Sequence, residues 1–122
     1  MSNNVLFMQW GTAIPGREQK SLEVFMQTQE FFTNLKNQGA IENCDFIGFE
    51  TGNTTHFLGC LVVKGSPKQI ESLRSMDKYR ELTGKARELV HNFSNNFGVT
   101  GDDLRTRVEE TINWRRQLGI IG

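Results

Sequence analysis

Apolar positions along the chain switch their spacing from two to three-and-four and back, and that switching predicts the elements. Residues 5–14 (VLFMQWGTAI) read as a strand, which Pro15-Gly16 ends. Over about residues 17–37, Leu22, Phe25, Met26, Phe32 and Leu35 recur at helical spacing as one apolar stripe, and Gly39 supplies a left-handed stop. Residues 44–51 and 55–64 are strands rich in Phe, Ile, Leu and Val. Gly52-Asn53 between them suits a tight hairpin turn and makes them antiparallel neighbours. Ser66-Pro67-Lys68-Gln69 has the pattern of a capping box, with proline at the first helical position. The helix it opens carries Ile70, Leu73 and Met76, then Tyr79, Leu82, Ala86 and Leu89, with Asp77 starting a second segment after a bend. Residues 91–99 (HNFSNNFGV) alternate, with Phe93, Phe97 and Val99 on one side and Asn92, Ser94 and Asn96 on the other. A last helix, capped by Thr100 or Asp102, runs to about residue 118 with Leu104, Val108, Ile112 and Leu118 as its stripe. Its charges alternate in sign at i,i+4 (Asp103 to Arg107, Arg105 to Glu109) and read as a solvated face.

The order β-α-β-β-α-β-α predicts an α+β fold: a ferredoxin-like βαββαβ core over residues 5–100 with an antiparallel sheet, and an extra C-terminal helix over 102–118. All of it forms a single domain, 1–122. In that topology the first and third strands are central, and both are apolar on their two faces, as in Val5-Leu6-Phe7-Met8 and Leu61-Val62-Val63. A single layer of helices covers one sheet face, so the other needs a cover of its own. The expected partner is self, in a homodimer.

Composition narrows the classes of function. Lys plus Arg equals Asp plus Glu at 14 each, so no global field steers the chain to nucleic acid or to an anionic membrane. The N-terminal residues lack the pattern of a secretion signal, and no apolar run approaches the ~20 residues of a membrane span. The expected setting is cytoplasmic. There Cys44 and Cys60, nearly opposite on adjacent strands if Gly52-Asn53 is the turn, are expected to be reduced packing residues.

Three stretches resemble a known group, the dimeric α+β barrel proteins, which include the antibiotic-biosynthesis monooxygenase-like and stress-responsive barrel families. "AIPGREQKSLEVFMQT" resembles their first strand, its Pro-Gly exit and their first helix. "THFLGCLVVKGSPKQIESL" is similar to their third strand running into a helix, and "MDKYRELTGKARELV" to the segment before their last strand. The resemblance covers residues 5–100 and departs at the helix after Gly101. It implies a dimeric barrel, and in members that are enzymes polar groups and often a His inside a cavity between helices and sheet.

That directs attention to His56, at the start of the third strand, which could act as a base near neutral pH or simply bond the hairpin end. His91 reads as a buried, singly bonded His; with no HxH or HxxxH spacing the two histidines predict no metal site. Trp10 and Tyr79 offer an aromatic wall and a hydroxyl, or fill the core. Gln9, Asn92 and Asn96 could line a cavity and orient a polar ligand group, or face water. No cofactor motif occurs, and none is expected. Two functions remain open: binding or transforming a small apolar or aromatic metabolite in a pocket of Trp10, Tyr79, Gln9, Asn92 and Asn96 with His56 as proton handler, or a non-catalytic dimeric regulatory or scaffolding module.

Overall fold

The computed structural model describes residues 3–120. The chain runs β1 (Asn4–Trp10), α1 (Glu18–Asn37), β2 (Asn43–Gly48), β3 (Gly59–Gly65), α2 (Pro67–Ser75), α3 (Asp77–Arg87), β4 (Ser94–Val99) and α4 (Gly101–Gln117). The strands form one antiparallel sheet in the order β2-β3-β1-β4, so β1 and β3 are central, as their two-sided apolar composition predicts. Leu6 stands opposite Val63 and Phe97, and Met8 opposite Leu61. These residues share the face on which Phe32 and Leu35 of α1, Ile70 and Leu73 of α2 and Tyr79 of α3 complete the core. Phe32, Leu6, Leu61, Leu73 and Val63 are fully buried. Each contributes about 1.5–3 kcal/mol relative to an exposed side chain.

Local chemistry sets the helix boundaries. Pro15-Gly16 makes a tight turn with Gly16 at φ +88°, and the Arg17 N–H closes it onto the Ile14 carbonyl at 2.9 Å. The capping box forms as the sequence predicts: the Gln69 N–H donates to the Ser66 hydroxyl (3.1 Å), and the Ser66 N–H donates to the Gln69 side chain (2.8 Å). Extended backbone at Met76 separates α2 from α3, so Asp77 does start a second segment.

Four expectations are corrected. First, β1 ends at Trp10 because Gly11 turns into a crowded crossing. Its N–H donates to the His91 carbonyl at 2.7 Å, and a Cβ there would lie 2.0 Å from the Thr55 carbonyl oxygen. Second, Gly52-Asn53 is not a hairpin apex. The amides of Thr54, His56 and Phe57 fold back onto the carbonyls of Gly52 and Asn53, making a turn inside a longer connection, residues 49–58. Gly48 consequently pairs with Gly59, Cys44 with Val63 and Ile47 with Cys60. The two cysteines thus sit out of register on opposite faces of the sheet, both free.

Third, β4 starts at Ser94 instead of residue 91, because Asn92 takes a left-handed φ of +52° that no strand accommodates. Fourth, the ion pairs on α4 are Asp102 with Arg105 and Arg107 with Glu110, at i,i+3 and 4.0 and 3.8 Å. That helix buries none of its residues; Leu104, Val108 and Leu118 are exposed. No helix among the described residues is long and apolar enough to cross a membrane.

Candidate functional site

The apolar stripe of α1 is buried along only half its length. Thr28, Phe32 and Leu35 are buried, whereas Leu22 and Met26 are 53% and 60% exposed. Between Leu22, Val24 and Phe25 of the N-terminal half and the sheet lies a cleft of about 500 Å³, within the usual range of small-molecule sites.

Missing side chains on the sheet explain the gap. At this end the register places Trp10, Gly59 and Gly48 side by side across β1, β3 and β2. A Cβ on Gly59 would lie 3.0 Å from the Trp10 ring and 2.8 Å from the Ile47 carbonyl oxygen, so only glycine lets the indole lie across β3. A Cβ on Gly48 would meet nothing within 4 Å. Two of three neighbouring strands thus bring no side chain to fill the space below α1.

Aromatic rings line what remains. Trp10 meets Phe25 edge-on (centroids 5.8 Å, planes 63° apart), and Phe25 meets Phe46 likewise (6.0 Å, 84°). Phe49 and Leu58, from the two ends of the 49–58 connection, form one rim; Ala86, Leu89, Val90 and Phe93 form the opposite side. Polar groups are few: Ser21, Gln29, the Glu18 carboxylate and Thr28, whose hydroxyl already donates to the Val24 carbonyl at 2.7 Å.

The structure distributes the sequence candidates over several places. Trp10 lines the cleft. Tyr79 lies elsewhere, 6% exposed and edge-on to Phe32 at 6.5 Å. Burial pushes its phenol above the ordinary value of 10.0, against the opposing pull of Arg87 and Arg74. Gln9 and Asn96 sit on the sheet face turned away from the helices, where the Asn96 amide donates to the Ser94 hydroxyl at 3.3 Å. His56 and Asn92 do come together, both exposed, with the Asn92 side-chain amide against His56 Nδ1. The six candidates therefore do not enclose one pocket, and the polar set stands outside the cleft.

The arrangement is suited to holding an apolar body. Burial raises the pKa of both Cys44 and Cys60, which keeps these thiols protonated and poorly nucleophilic. Among the described residues no three His, Cys, Asp or Glu side chains converge as a metal-binding group. The sequence pattern placed Phe25 in an apolar stripe and did not mark it, Phe46 or Phe49 as site residues, since a stripe that lines a cleft has the same spacing as one that fills a core. The usable signal was glycine inside strands, at Gly48 and Gly59. No protein family and no curated protein matches the chain.

Proposed function

We propose that the protein binds a small, mostly apolar or aromatic molecule in the cleft between the N-terminal half of α1 and the glycine-floored end of the sheet. One observation carries this reading: an aromatic-walled space of about 500 Å³ beneath the N-terminal half of α1, which Leu22 borders while remaining half exposed. A stripe that only stabilised the fold would close onto the sheet, because a half-exposed Leu22 forgoes roughly half of the 1.5–3 kcal/mol of full burial. The strand order β2-β3-β1-β4 with helices on one face supports the ferredoxin-like reading and, with it, the likeness to dimeric α+β barrels. His56, next but one to the rim residue Leu58, is the candidate proton handler if the ligand is transformed.

A thermal-shift screen of neutral aromatic and aliphatic metabolites tests this, since a ligand that binds only the folded state raises the melting temperature. Hits are expected to lose their shift in Trp10→Ala and to keep it in His56→Ala. Hits whose shifts survive Trp10→Ala would place binding elsewhere.

A second reading, a dimeric regulatory or scaffolding module, is favoured by a different observation. Val5, Phe7 and Val62 form an apolar centre on the sheet face turned away from α1, α2 and α3, and α4 carries an apolar stripe of which no residue is buried. The two readings are compatible, because the cleft and the open face lie on opposite sides of the sheet.

A further inference from the structure

The cleft holds one formal charge, and that charge bears on which ligands it accepts. Among the described residues, no Lys or Arg lines it, and Glu18 is its one carboxylate. Two cations lie near without lining it: Arg17 donates to the Glu88 carbonyl at 2.6 Å, and the Arg87 guanidinium is held over the ring of Phe93, a residue of the side opposite the 49–58 rim, at 5.7 Å from its centroid. Glu18 stands in the first turn of α1, where the helix end contributes about +0.5 of an elementary charge; this halves the carboxylate's field without cancelling it. Trp10, Phe25, Phe46 and Phe49 add rings whose negative faces attract cations and repel anions. The carboxylate and the rings therefore bias the site in the same direction.

We infer that the cleft selects an amphiphile with an aromatic or apolar body and a cationic head, a protonated amine or quaternary ammonium, over the corresponding carboxylate. Glu18 faces the head at the mouth and the aromatic wall takes the body. The inference rests on the cleft being the ligand site, and it adds the sign of the ligand's charge.

The test compares three probes of one shape, naphthylmethylammonium, naphthalenemethanol and naphthoate, by titration calorimetry at neutral pH and low ionic strength. Because Glu18 is exposed, its share is that of a surface ion pair, so the cation is expected to bind about fivefold tighter than the alcohol and the anion about fivefold weaker. Glu18→Gln should bring the three within about twofold of one another, or leave only the small cation preference of the rings. Glu71→Gln on α2, outside the cleft, should leave the series intact. Equal binding of all three by the unmodified protein, or tightest binding of naphthoate, overturns the charge selection while the cleft reading stands. Failure of every probe to bind counts against the cleft reading itself.

Discussion

Trp10 owes its place to what its neighbours lack. The indole crosses β3 at Gly59 because a Cβ there would collide with it, and the same vacancy continues at Gly48. Tyr79 shows the opposite case, a polar aromatic given over to packing against Phe32. As the only tyrosine, it can be titrated alone by its phenolate absorbance. Since burial raises its pKa, the native midpoint should lie above 10.0 and fall back to about 10 in denaturant. The sign for stability follows: the fold prefers the neutral phenol, so this contribution is present below pH ~10 and is lost as the pH climbs through the raised native value. A native midpoint at or below 10.0 would mean that Tyr79 is solvated. At this scale Trp10 was legible as an aromatic wall, whereas the separation of Gln9 and Asn96 from it was not. Strand parity puts neighbouring residues on opposite faces, and which face the helices cover is decided by the whole sheet.

Elements with strong end signals were read closely. α1 and α2 follow their turn and capping residues almost to the residue, because the signals satisfy specific backbone groups. Ser66→Ala removes the hydroxyl that accepts the Gln69 N–H, and the expected cost is about 1 kcal/mol, or roughly 4 °C in melting temperature. Calorimetric melting checks it; an unchanged midpoint would show that the box adds nothing to the fold. The β2–β3 connection was misread because Gly-Asn serves a hairpin apex and a longer looped turn equally well. Once that turn moved, the register moved, and with it the pairing of Cys44 and Cys60. The α1 stripe was legible as apolar, but its half-open state depends on two glycines in other strands.

At the scale of the molecule, two apolar surfaces are incompletely covered among the described residues: the half-buried sheet centre at Val5, Phe7 and Val62, and the exposed stripe of α4. The strands at ~4.8 Å spacing and ~3.4 Å per residue give a face on the order of 400 Å². The exposed stripe of α4, a helix about 25 Å long, would add to it toward the ~800 Å² per partner of a stable interface. A formal charge of zero sets up no repulsion between copies, so a second copy is the proposed cover. Light scattering should give twice the 13.9 kDa chain mass, and Phe7→Lys should give a monomer whose circular dichroism shows a frayed α4, since so short a helix is marginal alone. A wild-type monomer at micromolar concentration would contradict this. The proposed ligand cleft lies on the other side of the sheet, and titrating the neutral apolar dye Nile red against the wild type and Gly48→Trp tests it most directly. Gly48 has open space at its Cβ, so the new indole fills the cleft without displacing backbone. The wild type should bind saturably with a rise in emission, and Gly48→Trp should bind at least about tenfold more weakly at an unchanged melting temperature. Equal binding by the two proteins, or no saturable binding by the wild type, would contradict the assignment of the cleft as the ligand site.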